Sequence, residues 1–264
     1  MEARVSAPET IFTIEPPLAF LTFNRPEARN AMTWAMYDAL TRACEQVDAA
    51  SDVFVFILRG AGGKAFVSGT DISQFQRFSG PKDAVEYEKK ISAVLGRLER
   101  VTKPTIAQVE GFATGAGCAI VATCDLSVAT TDSAIGIPIA RTLGNVLSSE
   151  TFGRLVDLIG PSRAKEMLFT GRLVPGPEAV AIGLVNRVVA KDTIEADVLT
   201  LAREIAGNAP LTIRATKEMS RRLLASRRSP ESDSDLIELC YTSEDFKEGV
   251  TAFLAKRRPL WTGR

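Results

Sequence analysis

The chain has 264 residues, 45% of them hydrophobic and 24% charged, a composition that can bury a substantial core and excludes a disordered chain. Lys+Arg and Asp+Glu each count 32, so no net field draws the protein onto nucleic acid or a membrane surface. Histidine is absent, which excludes Ser-His-Asp and Cys-His catalysis and leaves acid–base work to Asp, Glu, Lys, Tyr, Cys or the substrate itself.

The first ten residues, MEARVSAPET, lack the apolar stretch of a signal peptide, and no apolar run nears the roughly 20 residues that span a bilayer. Segments 10–15 and 18–24 read as two strands joined at Pro16-Pro17, a hairpin. Over 33–50, Met36, Leu40, Ala43 and Val47 recur at a helical period, with Thr33 as the N-cap. Segment 52–59 is almost continuously apolar, as suits a parallel strand covered on both faces. A helix follows at 81–101, a strand at 105–109, a short helix of small residues at 115–123 and a strand at 126–129. Strand–helix–strand repetition with short connections predicts an α/β fold with parallel pairing.

Beyond about residue 148 helices dominate, at 148–159, 162–169, 177–182, 193–206, 210–224 and 243–256, with one strand at 184–189. The expected organisation is an α/β core over 1–200 and a helical region over 201–264. The basic run Arg221, Arg222, Arg227 and Arg228 reads as a solvated helix end. Cys44, Cys118, Cys124 and Cys240 form no C-x-x-C pair, so free thiols in a reducing, cytoplasmic setting are expected.

Two glycine-rich segments stand out, each following a strand and opening into a helix. They are Gly60-Ala-Gly-Gly-Lys-Ala-Phe-Val-Ser-Gly-Thr-Asp-Ile72 and Glu110-Gly-Phe-Ala-Thr-Gly-Ala-Gly-Cys-Ala-Ile120. Such junctions aim backbone N–H groups at whatever binds there. A dinucleotide fingerprint is incomplete, because Ile120 stands where the third glycine belongs.

Taken with Asn24-Arg-Pro-Glu-Ala-Arg-Asn-Ala31, Lys103-Pro-Thr-Ile-Ala-Gln-Val-Glu-Gly111, Cys124-Asp-Leu126, Gly136-Ile-Pro138, Leu168-Phe-Thr-Gly171 and Ala181-Ile-Gly-Leu-Val-Asn-Arg-Val-Val189, these segments resemble the crotonase (enoyl-CoA hydratase/isomerase) superfamily in order and spacing. The resemblance continues to Phe246-Lys-Glu-Gly-Val-Thr-Ala-Phe-Leu-Ala-Lys256 and so covers essentially the whole chain. It implies a ββα spiral of two near-perpendicular sheets with a C-terminal helical trimerisation region, and a homotrimer or hexamer. It also implies an acyl-CoA thioester as substrate, with coenzyme A as part of that substrate and no separate cofactor or metal.

By the same resemblance the amides of Thr70 and Ala116 would hold the thioester oxygen, with Gly115 allowing close approach. Arg25 would lie near a CoA phosphate, Ser68, Thr70 and Ile72 near adenine and pantetheine, and Phe253 and Lys256 near a subunit boundary. Family hydratases carry a Glu pair at positions that here hold Ala119 and Ile139. Neither moves a proton, whereas water addition needs one group to activate water and another to protonate carbon. Asp71 is a replacement base or a helix cap; Glu150 is a helix-start residue or a substitute acid; Asp125 reads as a satisfied core carboxylate. Arg141, Asn145 and Ser148 are polar groups of the acyl-facing segment. An active hydratase- or isomerase-type enzyme, a decarboxylase of malonyl-type thioesters and a noncatalytic acyl-CoA binder all remain open.

Overall fold

The computed structural model describes residues 7–77, 81–226 and 234–264. β1 (Thr10–Glu15) and β2 (Leu18–Phe23) form the expected antiparallel hairpin, from Thr10 opposite Phe23 to Glu15 opposite Leu18, and the Pro16–Pro17 peptide between them is cis. α1 (Trp34–Ala49) starts where its cap predicts, with the Thr33 hydroxyl accepting the Met36 amide. Its stripe of Met36, Leu40, Ala43, Cys44 and Val47 is fully buried.

The chain then makes three similar passes. β3 (Val55–Gly60) enters a large sheet, β4 (Ala65–Ser68) a small one, and a 3-10 helix at Ile72–Arg77 precedes α2 (Pro81–Glu99). β5 (Thr105–Val109), β6 (Phe112–Thr114) and α3 (Ala116–Thr123) repeat the pass. β7 (Leu126–Thr130), β8 (Ala134–Gly136), α4 (Ile139–Thr142) and α5 (Ser149–Thr170) repeat it again. The two sheets close with β9 (Val174–Pro175), α6 (Gly176–Ala181) and β10 (Arg187–Val189). Strand order is β1-β2-β3-β5-β7-β10 in the large sheet and β4-β6-β8-β9 in the small one. Each pass thus hands one strand to each sheet, which is the ββα spiral.

The apolar run at β3 is covered on both faces, as its sequence predicts. Val55 and Ile57 join Phe20, Ile106 and Val128 under α7 (Ile194–Ala206), whereas Phe56 and Leu58 face the main core with α1, α2 and α3. The two helices expected over 148–159 and 162–169 are both present: α5 is a pair of helices meeting at a kink at Gly160 (φ 76°, ψ 161°), with Pro161 following. α8 (Pro210–Ala225), α9 (Ser234–Tyr241) and α10 (Glu244–Leu254) complete the chain, with α9 packed against α2. Arg227 and Arg228 lie outside the described residues. Among the described residues no helix is long and apolar enough to cross a membrane.

Candidate active site

The small sheet sets the geometry. Its strands β4, β6 and β8 are parallel, with Ser68 opposite Thr114 and Thr114 opposite Gly136. Their exit loops therefore leave the sheet side by side at one level. Gly69 (φ 91°) and Gly115 (φ 55°) bring the first two loops into contact, for a Cβ on Gly115 would stand 3.3 Å from the Gly69 Cα. Gly117 then lays the first turn of α3 against β4. A Cβ there would fall 2.0 Å from the Val67 carbonyl oxygen, so only glycine fits. Thr70 and Ala116 follow at matching offsets, and neither amide donates to a backbone carbonyl among the described residues.

Both residues line a cavity of about 140 Å³. Ser68, Ile72, Gly115, Ala119, Ile137 and Ile139 line it with them; α2 contributes Tyr87, Glu88 and Ile91, the segment before α5 contributes Asn145 and Leu147, and half-exposed Phe253 joins from α10. The buried Thr70 hydroxyl lies 2.7 Å from Tyr37 Oη and 2.9 Å from Tyr87 Oη. That triad fixes the Thr70 side chain. Burial pushes the Tyr37 and Tyr87 phenols above their ordinary pKa, and the charge of Glu88 adds to the effect.

Glu88 is only 7% exposed, and among the described residues it is the only carboxylate lining the cavity. Its Oε1 accepts from Tyr241 Oη at 2.5 Å, and that phenol accepts from Asn145 Nδ2 at 3.0 Å. Burial, then Glu88, raises the Tyr241 pKa as well. The Asn145 Oδ1 is buried without a protein donor. An aromatic cluster closes around the group, with Phe75 and Tyr87 at 4.9 Å and Tyr241 and Phe246 at 4.7 Å between ring centroids.

The structure brings Ser68, Thr70, Ile72, Gly115, Ala116, Ile139 and Phe253 together as the sequence predicts. Asp71, offered as base or cap, does not line the cavity. Its Oδ1 accepts the Ser73 amide (3.2 Å) and hydroxyl (2.7 Å), and its Oδ2 faces Arg25 Nη2 at 3.2 Å. Burial works to raise its pKa, but the Ser73 bonds and the Arg25 guanidinium outweigh burial and hold it below the usual carboxylate value. Arg25 also donates to the Ala31 carbonyl (2.7 Å) and pairs with Glu9 (3.3 Å), so its guanidinium braces the first loop. Lys256 is exposed in a left-handed conformation (φ 53°) just past α10, away from the cavity lining.

Of the polar acyl-segment residues, Asn145 reaches the cavity, Ser148 caps α5 by accepting the Thr151 amide, and Arg141 lies in an adjoining groove with Arg257, Arg258 and Trp261. Glu150 is exposed at the start of α5, the helix-start position offered for it. Asp125 is satisfied by the Thr105 amide (2.7 Å) and by Lys217, but at an exposed position and not in the core. Ala119 and Ile139 do line the cavity, so the two positions of the expected Glu pair present only hydrocarbon.

Sequence reasoning missed Glu88, and the signal was available. In α2, Ala84, Tyr87, Glu88, Ile91, Val94, Leu95 and Leu98 form one buried stripe at helical spacing. A carboxylate on that stripe, among Glu86, Lys89 and Lys90, reads as part of a solvated face unless its register is counted.

A family model described as enoyl-CoA hydratase/isomerase matches residues 13–264. The crotonyl-CoA hydratase of Syntrophomonas wolfei is 35% identical over 249 residues, covering 92% of this chain and 94% of the relative. The 2,3-dehydroadipyl-CoA hydratase of Escherichia coli is 31% identical over 266 residues, at 97% and 99% coverage. Among solved structures, an enoyl-CoA hydratase/carnithine racemase from Magnetospirillum magneticum superposes with TM-score 0.80 at 33% identity, covering 98% of this chain and 97% of that one. Methylmalonyl-CoA decarboxylase in complex with 2-nitronate-propionyl-CoA superposes with TM-score 0.89 at 28% identity, covering 98% and 100%.

Proposed function

The chain belongs to the enoyl-CoA hydratase/isomerase family of crotonase-fold enzymes, and we propose that it processes an acyl-CoA thioester by stabilising the thioester enolate between the amides of Thr70 and Ala116. The observation that carries this reading is the pair itself: two residues at matched register that both line one cavity and whose amides have no backbone acceptor among the described residues. As the α-carbon gains charge, the thioester oxygen becomes an oxyanion. Two fixed donors aimed there stabilise the transition state by roughly 3–4 kcal/mol each, because they need no reorganisation. Ile72, Ile91, Ile137 and Ile139 supply an apolar lining that fits the acyl chain.

With Ala119 and Ile139 at the expected Glu positions, the paired-carboxylate route to hydration has no groups to run on. A reaction that needs one proton-transfer group, such as migration of a double bond, fits this cavity better. A second reading is decarboxylation of a malonyl-type thioester, favoured by the superposition on methylmalonyl-CoA decarboxylase. There the departing carboxylate leaves its electron pair in the enolate, and the same two amides suffice. Exposed Leu211, Met219 and Leu223 on α8 and Leu236 and Leu239 on α9 fit a trimeric or hexameric assembly.

The test is a substrate panel on purified protein: crotonyl-CoA, trans-3-hexenoyl-CoA and methylmalonyl-CoA, with hexanoyl-CoA binding measured in parallel by calorimetry. Binding with isomerisation supports the first reading, and carbon dioxide release supports the second. Binding without turnover of any thioester makes the protein an acyl-CoA binder. Absence of binding overturns the acyl-CoA assignment.

A further inference from the structure

We propose that Glu88 is the catalytic acid–base residue of this cavity, with Tyr241 as the positioning residue that holds its carboxylate. The inference rests on the acyl-CoA reading above and assigns the proton-transfer role to a helix, α2, that supplies neither position of the expected Glu pair.

Four observations converge on Glu88. It is the only carboxylate lining the cavity among the described residues. It occupies a stripe position where an aliphatic side chain would pack at no desolvation cost, so a carboxylate there opposes the packing preference of the helix. The Tyr241 hydroxyl donates to Oε1 and is itself held by Asn145, which fixes the carboxylate against the apolar wall. The phenols of Tyr37 and Tyr87 are engaged with the Thr70 hydroxyl, so they are not rival bases. One chain of contacts therefore links the proton-transfer group to the oxyanion loop: Glu88 follows Tyr87, and Tyr87 holds Thr70.

A single carboxylate suffices for an allylic shift. The Glu88 carboxylate takes the C2 proton of a 3-enoyl thioester, and the C2–H electron pair becomes the enolate held at Thr70 and Ala116. Collapse of the enolate forms C2=C3 and pushes the former C3=C4 pair onto C4, which takes the proton back from the Glu88 carboxyl. The double bond moves one position, and no water, oxidant or other co-reactant is consumed. The structure thus points to 3-enoyl thioesters, and not to hydration substrates, as the class this carboxylate serves.

The experiment compares wild type, Glu88→Gln, Glu88→Asp and Tyr241→Phe on trans-3-hexenoyl-CoA, following formation of the conjugated thioester. Hexanoyl-CoA affinity and the thermal melt of each variant are measured alongside. The expected result is a loss of about 10²–10⁴-fold in kcat for Glu88→Gln with affinity and melting retained, and partial activity for Glu88→Asp. Tyr241→Phe should lower kcat with KM unchanged, the signature of a misplaced base and not of a damaged pocket. Glu88→Gln activity within about threefold of wild type would overturn the assignment. So would a wild type that binds hexanoyl-CoA but moves no double bond, which would leave the acyl-CoA reading intact. A wild type that binds no acyl-CoA would bring down both.

Discussion

Gly117 lies so close to Val67 that any side chain at that position would bring its Cβ to 2.0 Å from the Val67 carbonyl oxygen. That contact seats α3 on β4 and so sets where the Ala116 amide stands relative to Thr70. Gly117→Ala must push the helix off the strand, at a cost of about 1–3 kcal/mol for overpacking. We expect a lower Tm together with reduced turnover, since the donor pair opens. A variant that melts like wild type would show that α3 is not seated as described.

Ala116 is the first residue of α3, a position where proline is tolerated because its amide has no intrahelical acceptor. Ala116→Pro therefore removes one of the two proposed oxyanion donors while leaving the helix able to form. The expected loss is about 10²–10³-fold in kcat, with the thermal melt near that of wild type. Full activity in the folded variant would exclude Ala116 as a donor.

Asp71 should prove structural. Asp71→Asn weakens the Ser73 cap and the Arg25 pair, and we expect roughly 1 kcal/mol of stability lost, a partly exposed site making the ion pair worth little. Turnover should persist. The folded pKa is depressed, so the carboxylate's contribution is full above its unfolded pKa of about 3.9 and fades as pH falls through the folded value. Denaturant melts of wild type and Asp71→Asn should thus differ at neutral pH and converge in acid.

Ala119 and Ile139 are the places to test whether a carboxylate pair confers hydration. An Ala119→Glu/Ile139→Glu double variant places two carboxylates on the cavity wall, and crotonyl-CoA hydration should rise above the wild-type level. No gain in a folded variant would mean that these positions do not face the reacting carbons.

The thiols report on folding. Burial pushes the Cys44 and Cys118 pKa values up to about 12, well above the free-thiol value of about 8.5. With an alkylating reagent at pH about 8, half-buried Cys240 should react first, whereas Cys44 and Cys118 should label only as the protein unfolds. Mass spectrometry along a denaturant series would show this order.

Much of the large sheet was legible, because its central strands β2, β3, β5 and β7 are apolar runs of five or six residues flanked by helices with plain periodicity. The small sheet was not. Its strands at Ala65–Ser68, Phe112–Thr114 and Ala134–Gly136 are too short to show alternation and lie beside glycines that read as loop. The two loops of the site were visible as glycine patterns, but their alignment comes from parallel pairing, which leaves no local trace. Lys256 and Arg25 are a different case. The family resemblance implied ligand contact for both; within the chain the first is exposed beyond a helix end and the second pairs with Glu9 and Asp71, neither of which local sequence shows.

The registers Ser68–Thr114 and Thr114–Gly136 join strands from distant parts of the chain. Every one of those pairings closes a long loop before any contact repays the lost chain entropy, so parallel sheets of this kind form slowly. The proposed oxyanion pair has no local precursor: Thr70 and Ala116 become neighbours only when β4 and β6 have met. During refolding, helical signal should therefore return well before catalysis does, and nascent chains that end before α3 hold the first donor with nothing opposite it.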